Sequence, residues 1–518
     1  MHGAKKHTIM FKKHPRGLIA ASFANMGERF GFYTMMAILT LFLMSKFGLD
    51  ETKAGLIYSI FYFSIYFMAF IGGIIADKTR KFKTVILVGL VLMALGYLLI
   101  AIPTPTPVPA SSYTAMLAVS CLGLFVIALG NGLFKGNLQA LVGQMYDNEE
   151  YAAQRDSGFS LFYMFINVGA IFAPFAAVAM RNGWLKSHGF AYSADLPALC
   201  HEQLNGTMTA EATVRFHELA KTVGYSGGDM AAFAREYLNL FTTGFHYSFA
   251  IAIGAMLISL VIYLLNKKNF PNPRLITDKA VSVDVEMDAA EIKQRLYALF
   301  AVFGVVIFFW FSFHQNGLTL TYFAKDYTRL SGIVVDLGFT TIQGAEIFQS
   351  INPFFVVLLT PVIMAVFGFL RARNVEPSTP RKIAIGMGIA AIAYIVMAVS
   401  SMGLPAKSVV TAMGGLPETE RVTPFLLIGT YLILTIAELF ISPMGISFVS
   451  KVAPPKLQGL MQGCWLGATA IGNQLLFIGA IFYKSTSVST TWMIFVGACT
   501  ISMITMLGMI KWLERITK

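Results

Sequence analysis

The chain has 518 residues, of which 56% are hydrophobic and only 13% charged, whereas ordinary soluble domains carry about 25% charged residues. A soluble fold cannot hide so many apolar side chains in its core, so the bilayer must solvate much of the surface. The formal charge of +12 does not signal nucleic acid: the positives crowd into short segments between apolar runs, and neither zinc-finger spacing nor a basic and aromatic strand-binding platform occurs.

In chain order, His2 to Arg16 is polar and basic and leads directly into an apolar run, so residues 1–16 read as a cytoplasmic tail with no cleavable signal peptide. Apolar stretches of spanning length then recur twelve times, beginning near Gly17, Ala54, Thr84, Tyr113, Ser157, Phe241, Leu296, Gly344, Ile383, Thr423, Leu457 and Thr491. Between the fifth and sixth, residues 182–240 have mixed charge and read as a small extracytoplasmic cap with some helix. Residues 267–293 begin basic and Pro-rich and turn acidic, which makes them a cytoplasmic linker. An all-α membrane protein of two six-helix bundles is therefore expected, residues 17–266 and 294–512, with a cytoplasmic tail at 513–518. That is the layout of an alternating-access carrier with a site near the bilayer midplane.

An even number of spans places both ends on one side, and loop charge chooses the side. Lys5, Lys6, Lys12, Lys13 and Arg16 precede the first span; Lys78, Arg80, Lys81 and Lys83 follow the second; Arg371, Arg373, Arg381 and Lys382 follow the eighth. The turn from Pro103 to Ser112, on the other side, carries no charge. Both termini are thus expected in the cytoplasm, and the protein in the plasma (inner) membrane. Cys121, Cys200, Cys464 and Cys499 are scattered and imply no disulfide framework. No HExxH, GxSxG or GxxxxGK[ST] motif appears, so neither an enzyme nor a cofactor is expected.

Ionisable residues within the spans are few: Glu28 and Arg29 in the first, Lys135 in the fourth, His246 in the sixth, His314 in the seventh and Glu438 in the tenth. A lone charge near mid-bilayer costs at least about 2.5 kcal/mol on insertion scales, so such residues face a wet cavity or a partner. A structural ion pair accounts for Glu28 and Arg29 alone, but charges of both signs on three helices favour a cavity that binds a zwitterion. His246, beside Tyr247 and Ser248 at the start of its span, is expected to be satisfied by water or a carbonyl. His314, in FFWFSFHQNGL, is a titrating group or a hydrogen-bonded neutral one.

Six segments carry a family resemblance. NMGERFGFY (Asn25–Tyr33), GGIIADKTRKFKTV (Gly72–Val85), GNGLFKGN (Gly130–Asn137), FYMFINVGAIFAP (Phe162–Pro174), FQSINP (Phe348–Pro353) and AELFISPMGISFVSKVAP (Ala437–Pro454) together resemble, in order, the proton-dependent oligopeptide transporters of the major facilitator superfamily. The second motif alone marks only the superfamily. A short peptide is a zwitterion with variable side chains, so an unselective carrier should hold its termini and leave the middle roomy. Arg29 and Lys135 can supply cations for the carboxylate, and Glu438, on the other half, an anion for the amino terminus. The resemblance implies the same roles, together with terminus or backbone contacts by Asn167 and Asn352, hydroxyl contacts by Tyr33 and Tyr66, and pocket walls from Trp310, Ser442 and Trp465.

Three departures stand out. Asn25 replaces the first glutamate of the family's first-span motif, Met36 an arginine further along that span, and His314 an acidic residue before Gln315. The latter two family residues are thought to form a gating salt bridge, and both are missing here, so proton coupling falls to Glu28 and His314. The expected activity is proton-coupled import of di- and tripeptides by a monomer in the lipid bilayer; the alternative is a relative carrying another small zwitterion or peptide-like metabolite, with weaker proton coupling. Glu438 argues against nitrate, which it would repel. The two-half layout argues against a channel, and charges retained in both halves are unnecessary for a receptor.

Overall fold

The computed structural model describes residues 14–79, 81–146, 150–151, 154–271, 288–454 and 457–517. Most of the expected N-terminal tail with Lys5, Lys6, Lys12 and Lys13, the middle of the expected linker, Arg80 and the last residue lie outside the described residues. The chain forms α1 (Arg16–Phe47), α2 (Glu51–Thr79), α3 (Phe82–Ala101), α4 (Tyr113–Gln144), α5 (Arg155–Ser187), α6 (Leu196–Asn205), α7 (Ala210–Thr222) and α8 (Met230–Asn266). It continues with α9 (Ala289–Phe313), α10 (Thr319–Tyr327), α11 (Ile351–Ala372), α12 (Thr379–Ser400), α13 (Lys407–Ala412), α14 (Pro424–Val452), α15 (Gln458–Gln474), α16 (Leu476–Ser485) and α17 (Val488–Thr517). A two-stranded hairpin, β1 (Val335–Asp336) and β2 (Thr341–Ile342), pairs Val335 with Ile342.

Among the described residues, twelve helical segments are long and apolar enough to cross a membrane. In lipid every backbone group must be paired internally, which is why the apolar runs become helices and loops are confined to their ends. Two spans are broken. The seventh comprises α9 and α10 with a 3₁₀ turn, His314–Gly317, between them; the eleventh comprises α15 and α16, interrupted at Leu475. Gln315 spans both breaks: its amide donates to Phe311 O at 3.2 Å and to Leu476 O at 3.3 Å. The first of these carbonyls lies in the last turn of α9, where C=O groups have no partner within the helix, and the second ties the break in the seventh span to the start of α16.

The sixth span starts as helix at Met230, about three turns before the apolar run at Phe241. Asp229 caps it, accepting from Ala231 N at 3.0 Å and Ala232 N at 2.9 Å. The added turns are amphipathic, burying Phe233, Ala234, Tyr237 and Leu238 while Arg235 and Glu236 stay exposed, so hydropathy alone does not reveal them. Likewise α5 continues to Ser187, past residue 182.

Small residues let the first-half helices close on each other. A Cβ at Gly72 would lie 2.2 Å from Gly132 O, and one at Gly89 would lie 2.7 Å from Gly130 O. These contacts bring α2 and α3 against α4 backbone to backbone and account for Gly72, Gly130 and Gly132 of two of the sequence motifs. α1 is buried along most of its length between α5 and α8, whereas α11 presents most of its surface outward. One face of the molecule carries the start of α1, where Gly17 abuts Asn269, and the end of α17, where Glu514 meets Ser378 at 2.5 Å; it is called the terminal face below.

Candidate functional site

On the first half, Glu28 and Arg29 of α1 are both buried and bind each other through two contacts, Nε to Oε2 at 2.5 Å and Nη2 to Oε1 at 2.7 Å. Asn131 of α4 donates to the same Glu28 carboxylate at 2.6 Å, so Glu28 is held by a charge-assisted fork and an amide. Arg29 also lies 4.7 Å over the Phe32 ring. One helical turn beyond Asn131, Lys135 is half-buried and forms no ion pair among the described residues. Its ammonium lies 5.1 Å over the ring of Tyr66, a cation–π contact that leaves its N–H donors free for an anion.

On the second half, Glu438 of α14 accepts from the amide of Asn352 at 2.9 Å, and the same amide reaches Thr435 at 3.0 Å. Glu438 is half-buried and forms no ion pair among the described residues. Ser442, half-buried, follows it by one turn. His314 opens the break in the seventh span; its Nδ1 is 2.5 Å from Asn473 Oδ1, and its ring stacks on Trp310 at 4.9 Å. Both rings are buried, and the indole N–H of Trp310 has no protein partner.

The two sets face each other. The ring of Tyr62, on α2, lies 5.0 Å from that of His314. Tyr33, Tyr62 and Tyr66 are within electrostatic reach of Glu438, and Lys135 is within reach of His314. The structure therefore brings Glu28, Arg29, Tyr33, Tyr66 and Lys135 together with Trp310, His314, Asn352 and Glu438. Two other expected residues are described by their own contacts. Asn167 is half-buried on α5 and donates to Tyr163 O of its own helix at 3.1 Å. Trp465 is wedged inside the second half, where a Cβ on Gly445 would fall 2.0 Å from its ring.

Asn131, Asn473, Thr435 and Tyr62 belong to the site but are absent from the sequence reading. Asn131 was detectable, since it sits four residues before Lys135 and so on the same helical face. Asn473 and Thr435 carry no charge to mark them. His246, by contrast, meets the Ile100 carbonyl at 2.6 Å, a carbonyl partner as expected.

Away from the terminal face, charges cross between the halves. Arg181 of α5 and Glu346, both fully buried, pair directly. The guanidinium also lies 4.3 Å over Tyr192, 5.1 Å over Phe245 and 5.2 Å over Phe241. Lys407 bridges Glu51 at 3.2 Å and Asp326 at 2.8 Å, and Asp50 meets Lys484 at 2.8 Å. Burial alone would push Lys407 down; Asp326 and Glu51 overcome it and hold the ammonium above its ordinary value. These residues sit at span ends, outside the short set of intramembrane charges read from the sequence. Met36 is buried in the apolar core, and His314 pairs with an amide, so neither takes part in a cross-half ion pair.

Twelve spans in two halves, with opposite charges facing each other across the seam, define a carrier of the major facilitator fold. The model of the POT family matches residues 82–286 and 276–493, more than half of the chain, and the protein belongs to that family. The chain is 29% identical to the peptide transporter YePEPT of Yersinia enterocolitica over 491 residues, covering 89% of this chain and 87% of that protein. It is 26% identical to dipeptide and tripeptide permease A of Escherichia coli over 471 residues, covering 89% and 83%. A crystal structure of a peptide transporter POT in complex with sulfate superposes with a TM-score of 0.71 at 24% identity, covering 98% of this chain and 96% of that one. A POT family transporter in complex with 5-aminolevulinic acid superposes at 0.70 and 22%, covering 98% of each. At these identities the structural likeness establishes the fold.

Proposed function

We propose that the protein is a proton-coupled symporter that imports di- and tripeptides by alternating access. The observation that carries this reading is the placement of unlike poles on facing halves: Arg29 and Lys135 on the first half, Glu438 on the second, each accompanied by amides or aromatic rings. A zwitterionic peptide spans that separation, its carboxylate toward Arg29 and Lys135 and its ammonium toward Glu438, with Asn352 orienting the latter. Tyr33, Tyr66, Asn131 and Trp310 line the middle; Asn167, Ser442 and Trp465 are assigned supporting contacts at its edges. The names of the relatives agree with this substrate class.

Residues 17–266 and 294–512 act as the two moving bodies. The loop cations, among them Lys78, Lys81, Arg371, Arg373 and Arg381, gather toward the terminal face, which puts both termini in the cytoplasm of a cell whose plasma (inner) membrane holds the protein as a monomer. The cross-half ion pairs then close the external side, so the form described here is closed outward. Protons enter through Glu28 and His314. A proton on Glu28 loosens its hold on Arg29 and frees the guanidinium for the peptide carboxylate. His314 stands beside Lys135, where a change in wetting between access states can load and release a proton.

Counterflow in proteoliposomes tests the substrate. Dialanine and trialanine are expected to exchange and free alanine is not; equal exchange of free alanine overturns the peptide assignment in favour of a small-zwitterion carrier. An inside-alkaline gradient is expected to drive dialanine accumulation. His314→Gln should abolish that accumulation and leave exchange intact, and full accumulation by the variant removes the histidine from coupling and leaves Glu28.

A further inference from the structure

The segment between α5 and α8 is a rigid part of the first half. Phe190, ahead of α6, Phe216 of α7, Tyr225 after it, and Phe233 and Tyr237 in the first turns of α8 form one aromatic core, with Tyr225 stacked on Phe233 at 4.6 Å. His201 of α6 binds the Ser45 carbonyl at the end of α1 at 2.7 Å. The cap therefore moves with α1 and α8.

Its outer side holds the second half. The Asp195 carboxylate accepts from Arg421 Nη2 at 2.5 Å, and the pair is almost fully buried. The other arms of Arg421 reach Leu416 O at 2.8 Å and Lys325 O at 3.1 Å. Thr209 donates to Ala412 O at 2.5 Å. Gly414 and Gly415 have φ of +74° and +109°, and their flat backbone admits the cap: a Cβ at the first would lie 3.0 Å from Ala212 Cα, at the second 2.7 Å from the Asp195 carboxylate. The segment these contacts grip is itself tied to the second half, since Val422 N donates to Tyr327 O and Arg329 N to Val422 O.

We propose that residues 188–229 form a clasp that holds the two halves closed on the face away from the termini, with Asp195–Arg421 as its releasable bond. On the alternating-access reading above, this contact breaks each time that face opens. The insertion thereby sets the resting balance between access states and the ease with which the site is exposed to substrate on that side. The buried charged hydrogen bond is made in one state and lost in the other, so it biases the equilibrium toward closure by about tenfold or more.

Distance distributions between spin labels test this without reference to substrate. Labels at the exposed positions Val214, on the cap, and Met402, on the second half, would be placed in a background lacking the native cysteines and reconstituted in lipid. Asp195 makes no capping bond to α6, so Asp195→Asn should leave the helix start and Arg421's two carbonyl bonds intact. The expected result is growth of a longer-distance population by about tenfold, with Asp195→Glu remaining closed. A wild-type distribution in Asp195→Asn overturns the clasp. As a second readout, a Thr209→Cys/Ala412→Cys disulfide should stop transport of whichever peptide the unlocked protein carries, and reduction should restore it. Undiminished transport by the cross-linked protein also overturns the clasp. A protein that opens on Asp195→Asn yet exchanges no peptide faults the substrate assignment and upholds the clasp.

Discussion

The seam away from the terminal face and the central charge cluster use the same residue types in opposite ways. At the seam, charges cross between halves and meet a partner there: Arg181 finds Glu346, Lys407 finds Glu51, Asp50 finds Lys484. At the centre, among the described residues, Arg29 is held by Glu28 and Glu438 by Asn352, each within its own half, and Lys135 lies over the ring of Tyr66 with no ion pair. The seam charges meet opposite charges across the halves, so they define a state. The central charges make no ion pair across the halves among the described residues, and under the proposed function a molecule carrying both signs would bridge them.

The largest expected effect is therefore at the seam. Glu346→Gln leaves the buried Arg181 guanidinium without its anion, and breaking a fully buried pair costs about 3–5 kcal/mol in the state that contains it. The closed form should lose that stability and the seam face should open. The measurement is the rate at which an impermeant thiol reagent modifies a cysteine placed at Gln349, a half-buried seam position. A marked rise is expected over the same cysteine in the parent protein. An unchanged rate would mean that apolar packing, rather than charge, holds the seam, and the contrast between the two regions would collapse.

The central poles come next. Lys135→Ala removes a cation from the peptide carboxylate and should weaken dialanine binding by about 30-fold or more, from an expected cost of roughly 2–5 kcal/mol. Glu438→Gln should weaken free-amine dipeptides by about tenfold and their N-acetylated counterparts much less, because only the former present a positive charge to the lost carboxylate. Equal weakening of both ligands would make Glu438 a structural residue and reverse the assigned peptide orientation. Thermal-shift titration of each purified variant gives both numbers.

The spans and the residues of the two poles were legible in the sequence because each rests on a strong local signal: spanning length and loop charge for the former, a charge inside an apolar run for Arg29, Lys135 and Glu438. The seam was not. Arg181, Glu346 and Lys407 sit at span ends, where a charge normally reaches water, and only the docking of the cap and the outer loops buries them. Asn131 and Asn473 escaped for a different reason, since an uncharged amide in a span is unremarkable until its partner, Glu28 or His314, is seen across the helix interface. The start of α8 escaped because its first turns are amphipathic and pack on the cap, which hydropathy cannot anticipate.

The smallest effect belongs to a third charge group, at the end of α11, and it isolates what burial contributes. Glu376 binds Arg371 at 2.6 Å and Lys382 at 2.5 Å, contacts as short as those of the seam; Lys382 is buried, but Glu376 is partly exposed and Arg371 largely so. Hydrogen bonds from Arg371 and Lys382 hold the Glu376 carboxyl down to about 2. A depressed carboxylate contributes stability above its unfolded value, near 4.3, and loses it as pH falls from there toward 2. Screening by water limits this contribution to about 0–1 kcal/mol. Glu376→Gln should therefore lower the melting temperature at pH 7 by at most about 2 °C, and the difference from wild type should shrink as pH is lowered from 4.5 toward 3. Melting curves of the two proteins in detergent across that range are the test. A loss at pH 7 as large as that of Glu346→Gln would show that ion-pair distance, and not burial, sets the strength of these contacts.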